Sequence, residues 1–139
     1  MPVGMAIIRM DAHLGNDKDD LDTPYPFYGD ASPQRHFMVS AAEARQTQGC
    51  VFMQIYDVDD WEHVVLINGK SLLGFWSDMS PPMIAKAGRW TVWMCPFGAT
   101  PEDAGGYLKP GDNAIEVQRN PNGDNFAIGT MTLLWKYGE

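Results

Sequence analysis

A chain of 139 residues with 45% hydrophobic content holds enough apolar material for one domain that folds on its own core, without metals or disulfides. Its formal charge of −8, with ten scattered Lys and Arg against eighteen Asp and Glu, argues against nucleic acid as a partner, because no basic run offsets repulsion by the phosphates. Nothing approaches the ~20 consecutive apolar residues of a membrane span, and no basic segment leads an apolar run at the start, so the default expectation is a cytoplasmic product, with an extracellular address left open.

Gly, Pro, Asn and Asp recur at short intervals, which predicts many short strands joined by turns. Residues 1–34 differ from the rest and read as an N-terminal arm or extended segment, with a β-sandwich domain over 35–139. Within the arm, "VGMAIIRM" fits a short strand or a crossing segment. "DAHLGNDKDDLDTPYPFYGDASP" follows, first acidic, then proline-broken, with no periodicity. Tyr25, Phe27 and Tyr28 argue against a disordered tail, since such segments are poor in aromatics.

Strand signals then repeat. "HFMVS" is a short candidate, and "AAEARQTQG" is one helical turn or a loop. "CVFMQIYDV" is rich in strand formers and apolar on both faces, which predicts a central strand. "HVVLINGKSL" places Asn68-Gly69 between apolar runs, the pair that a type I′ hairpin turn requires. "RWTVWMCPF" alternates Trp90, Val92 and Met94 against Thr91, Trp93 and Cys95. "LKPGDN" is a turn before "AIEVQR", where Ile115 and Val117 share one face. In "NFAIGTMTLLWK", Phe126 and Ile128 share one phase, and Met131, Leu133 and Trp135 share the other. A straight strand cannot bury both sets, so a β-bulge is expected at Gly129-Thr130. Seven or eight short strands predict an all-β, antiparallel β-sandwich.

The order "DVDDWEHVVLINGKSL", then a variable loop, then "LKPGDNAIEVQ", then "DNFAIGTMTLLW" resembles the galactose-binding-domain-like superfamily of jelly-roll sandwiches, over roughly residues 36 to 137. It is also similar to small uncharacterised bacterial proteins with a "YDVD…LING…DNF" core. The superfamily resemblance implies a jelly-roll fold and a role like that of accessory carbohydrate-binding modules. It also implies a structural calcium near the N-terminal loop, for which Asp17, Asp19 and Asp20 are the candidate ligands. Calcium takes Asp carboxylates readily, yet the spacing is not that of an EF-hand, and a solvated acidic loop is the competing reading.

No nucleophile elbow, P-loop or dinucleotide fingerprint is present, and the expectation is a protein that is not an enzyme and carries no cofactor beyond that calcium. His13, His36 and His63 share no metal-ligand spacing. Cys50 and Cys95 sit in strand-like runs and read as buried thiols. Two functional readings follow. The first is a lectin-like, carbohydrate-binding module using loop aromatics and polar neighbours, namely Trp61, Trp76, Asp59, Asp78, Asn68 and Tyr107, because sugar rings stack on aromatic faces while amides and carboxylates bond their hydroxyls. The second is a structural or interaction subunit, a homo-oligomer built by protein contacts from the N-terminal arm. Nine methionines and the apolar second face of the 50–56 strand favour it.

Overall fold

The computed structural model describes residues 2–56, 63–72, 90–98 and 106–138. The described residues form nine strands: β1 (Val3–Leu14), β2 (Phe27–Gly29), β3 (Arg35–Val39), β4 (Gln46–Tyr56), β5 (Val64–Ile67), β6 (Lys70–Ser71), β7 (Trp90–Phe97), β8 (Gly111–Gln118) and β9 (Phe126–Tyr137). They build a five-stranded sheet in the order β2-β1-β9-β4-β7 and a four-stranded sheet in the order β3-β8-β5-β6. The all-β sandwich expected from the sequence is the observed architecture. Its pairs are antiparallel except for β1 with β2, which run parallel. Among the described residues no helix is long and apolar enough to cross a membrane.

The core fills the space between the sheets. Ile8, Met10, Met53, Ile55, Trp93, Met131, Leu133 and Trp135 come from the larger sheet, and Phe37, Val39, Val65, Ile67, Ile115 and Val117 from the smaller one. Residues 3–14 therefore run through the sandwich rather than beside it. They lie between β2 and β9 and contribute Ile8, Met10, Ala12 and Leu14 to the core, so this part of the anticipated arm belongs to the domain.

The phase conflict in β9 resolves as expected. Met53 pairs with Met131 and Ile55 with Ile128, so Gly129 and Thr130 together oppose the single residue Gln54. The extra residue turns the strand over by one position, and Phe126, Ile128, Met131, Leu133 and Trp135 are all buried. A complementary irregularity lies across the strand on β1, where Met10 and Asp11 oppose Gly129 alone, and Asp11 takes a φ of 47°.

The hairpin at Asn68-Gly69 is a two-residue turn with φ of 53° and 80°, closed by the Ile67–Lys70 pair. "AAEARQTQG" splits between a turn and the start of β4. In the turn, Ser40 Oγ accepts from the Glu43 amide at 3.1 Å and Glu43 Oε1 accepts from the Ser40 amide at 3.0 Å. This is the reciprocal bonding of a helix capping box on a single turn. The turn is tied to the core, because the indole Nε1 of Trp135 donates to the Glu43 carbonyl at 3.1 Å.

Neither cysteine is in a disulfide; Cys95 is buried and Cys50 half-buried. Arg119, also buried, pins the far end of the sandwich. It donates to the carboxylate of Asp30 at 2.8 Å and to the carbonyls of Gly123 and Asp124 at 2.6 and 2.9 Å. Its charge is thus paired and each of its three nitrogens donates a hydrogen bond, which offsets the cost of burying a guanidinium.

Candidate functional site

The outer face of the five-stranded sheet carries the site. Alternation along β4 turns Val51, Met53 and Ile55 inward and leaves Cys50, Phe52, Gln54 and Tyr56 outward. On β7, Trp93, Cys95 and Phe97 are buried, while Trp90, Val92 and Met94 face solvent. Register then sets Tyr56 opposite Trp90 and Gln54 opposite Val92. The loop after β1 brings Tyr25 to the same place.

These residues form a groove of about 320 Å³ lined by Tyr25, Gln54, Trp90 and Val92. Trp90 is half exposed. Its ring lies 6.2 Å from Tyr25, nearly perpendicular to it at 78°, and 5.3 Å from Tyr56 at 49°. Such edge and tilted contacts hold the indole in place while one of its surfaces stays in water. Gln54 is exposed beside them and offers both a donor and an acceptor.

The β9 bulge makes room for this arrangement. A Cβ at Gly129 would lie 3.2 Å from the Tyr25 hydroxyl, 3.4 Å from the Trp90 ring and 3.6 Å from Gln54 Oε1. Three groove side chains therefore converge over a position without a side chain. Among the described residues lining the groove there is no carboxylate, imidazole or thiol, so it presents aromatic surface and one amide rather than acid–base or nucleophilic groups.

None of the residues expected from the sequence is among the described residues that line this groove. Asp59, Trp61, Trp76 and Asp78 lie outside the described residues. Asn68 and Tyr107 are described and come together, but as parts of the scaffold. The Asn68 amide donates to the Tyr107 carbonyl at 2.7 Å and to Asn113 Oδ1 at 2.8 Å, and its Oδ1 accepts from the Ala114 amide at 2.9 Å. Tyr107, expected on a rim, is instead 1% exposed. Its hydroxyl donates to the Ser71 carbonyl at 2.9 Å and its ring packs on Phe97 at 5.6 Å.

Asp17, Asp19 and Asp20 lie in the exposed loop after β1. Asp17 Oδ1 accepts from the Asp19 amide at 2.9 Å, and the Asp20 amide donates to the Asp17 carbonyl at 3.2 Å, which is an Asx turn. Among the described residues no three His, Cys, Asp or Glu are grouped so as to hold a metal ion.

Tyr25, Gln54, Tyr56 and Trp90 were not singled out by motif. A signal existed in the alternation of "RWTVWMCPF", which puts Trp90 and Val92 on one face, and in the aromatic segment around Tyr25. The alternation does not say which face meets water.

A family model described as a family of unknown function, DUF7383, matches residues 3–137. The chain belongs to DUF7383. The match begins at Val3, the first residue of β1. No curated protein matches the chain. Three solved structures are similar in shape. One is the CBM36-1 domain of a multidomain xylanase from the hindgut metagenome of Trinervitermes trinervoides, at 10% identity over 98% of this chain and 100% of that one, with a TM-score of 0.47. Another is the GH26-CBM35 β-(1,4)-mannanase of Podospora anserina, at 12% identity over 98% of this chain and 28% of that one, with a TM-score of 0.47. The third is a β-porphyranase of glycoside hydrolase family 86 from the human gut bacterium Bacteroides plebeius, at 19% identity and a TM-score of 0.45. It is matched over 77% of this chain, which spans only 18% of the porphyranase.

Proposed function

We propose that this DUF7383 chain is a non-catalytic binding module whose groove, lined by Tyr25, Gln54, Trp90 and Val92, takes a sugar ring. The observation that carries this reading is the half-exposed Trp90, braced by two tyrosines over the gap at Gly129, with the amide of Gln54 beside it. A pyranose has an apolar face of C–H groups and an equatorial belt of hydroxyls. The indole suits the first, and the Gln54 amide with the Tyr25 hydroxyl suits the second. A preformed cleft of about 320 Å³ is at the small end of ligand sites and fits one or two rings rather than a long chain lying flat.

The test is a titration of the purified chain against a panel of mono- and disaccharides, followed by calorimetry and by chemical shifts of the indole N–H groups. The expected result is saturable binding by at least one sugar that shifts the Trp90 resonance. Trp90→Ala should abolish it while the circular dichroism spectrum stays unchanged, because Trp90 faces water. Binding that survives in Trp90→Ala would move the site elsewhere, and a panel without a binder would reject the reading.

A further inference from the structure

The groove occupies one corner of the outer sheet face, and the opposite corner is a separate feature. Val3, Met5 and Ile7 stand out from β1, with Met5 60% and Ile7 65% exposed. Register continues their rows across the sheet. Ile7 pairs with Thr132, Thr132 with Phe52 and Phe52 with Met94; Met5 pairs with Leu134, Leu134 with Cys50 and Cys50 with Pro96. The result is a four-strand apolar surface from which Val3, Met5, Ile7, Leu134 and Met94 are exposed.

We infer that this face is the contact between two copies of the chain, packed sheet against sheet about a two-fold axis. Three observations favour a second copy over another occupant. The first is shape. Beside the β1 ridge lies a shallow hollow of about 240 Å³ lined by residues that include Val3, Cys50, Phe52, Leu134 and Lys136. Ridge and hollow lie side by side on one face, so a two-fold rotation sets each ridge against the other copy's hollow, as a self-complementary interface requires.

The second is charge. The chain has eighteen acidic residues, yet none falls in 3–9, 46–56, 90–97 or 130–137, the segments that make this face. Among the described residues this face carries no carboxylate, so two copies with a charge of −8 each that meet on it add no close pair of like charges to their long-range repulsion. Its cations, Arg9 and Lys136, lie in the rows on either side of these two, paired with Thr130 and Val3.

The third is area. Large side chains about half exposed leave on the order of 100 Å² each in water. The five exposed ones then offer about 500 Å² per copy and about 1,000 Å² for a pair, the lower bound for a specific interface. The association is therefore reversible and concentration-dependent. Stacked sheets lie about 10 Å apart, which these side chains fill by interdigitation.

Sedimentation equilibrium of the full chain between about 1 µM and about 1 mM, the range over which an interface of this size dissociates, reads the outcome directly. The expected result is a shift from the 15.5 kDa monomer to a species of twice that mass and no larger. Ile7→Glu and Met5→Glu, each at an exposed position, should leave the chain monomeric throughout with an unchanged circular dichroism spectrum. Trp90→Ala should dimerise like the wild type, so failure of the groove reading and failure of this one are told apart. A wild-type monomer at every concentration, a larger open assembly, or dimers that persist in both Glu variants would overturn the inference.

Discussion

The side-chain amide of Asn68 donates to Oδ1 of Asn113 across 2.8 Å, joining the β5–β6 turn to the start of β8. Asn113 is fully buried and uses its remaining capacity on the Lys109 amide and the Lys109 and Gly111 carbonyls, at 2.9, 2.8 and 3.0 Å. The two asparagines thus satisfy backbone groups of two loops at once, where a buried orphan would cost more than the bond itself contributes.

Asn68→Gly separates this network from the turn. Glycine accepts the φ of 53° at position 68 without strain, so only the side-chain bonds are lost. The expected cost is about 1–3 kcal/mol in urea unfolding, from carbonyl and amide groups left unpaired. A variant as stable as the wild type would show that water replaces the amide.

Gly129→Val fills the space beneath the groove. Its Cβ would crowd the Tyr25 hydroxyl at 3.2 Å and the Trp90 ring at 3.4 Å. The backbone at this position is not left-handed, and the crowded atoms belong to outward-facing side chains. Stability should change little, while sugar affinity falls by about tenfold or more, equivalent to about 1.4 kcal/mol. Calorimetry with the best ligand of the panel, set beside a melting curve, separates the two effects.

His13 makes stability depend on pH. It is 2% exposed, its Nε2 has no hydrogen-bond partner among the described residues, and its ring meets Phe27 edge-on at 5.0 Å. Burial lowers its pKa from the ordinary 6.5, against an opposing pull from Asp20 and Asp17. The folded chain therefore holds the neutral ring more readily than the unfolded chain does. The stabilisation is present above pH 6.5 and is lost as pH falls from there through the lowered folded value. His13→Gln removes this titration, so its unfolding midpoint should decline less than that of the wild type between neutral and mildly acidic pH. Parallel curves for the two proteins would refute the assignment.

Gly4→Ala tests whether β1 belongs to the sandwich. Gly4 pairs with Trp135, and a Cβ there would overlap the Trp135 indole. That ring is buried and anchored to the Glu43 carbonyl, so it cannot swing away cheaply. The expected loss is about 1–3 kcal/mol by urea unfolding, the range for overpacked cores. A dispensable arm would tolerate the change without effect.

Several elements were legible because their cause is local. Asn68-Gly69 announces a turn with positive φ at both residues, and the phase break in "NFAIGTMTLLWK" announces a bulge, because the side-chain period of a strand is two. Those signals, with the strand-rich runs and their spacing, determine the all-β sandwich. They also determine that β4 is interior to its sheet, since both of its faces are apolar.

What the tertiary structure decided is which surface each residue meets. "VGMAIIRM" is compatible with an arm or a strand, and only its pairing with β9 makes it part of the sheet. Asn68 has the chemistry of a sugar ligand, but Asn113, 45 positions away in the chain, consumes its amide. Trp90 and Trp93 look alike in sequence; the closure of the two sheets buries Trp93 and leaves Trp90 beside Tyr25. Alternation fixes which residues share a face. Which face becomes core depends on contacts between residues far apart in the chain, and no local pattern encodes that choice.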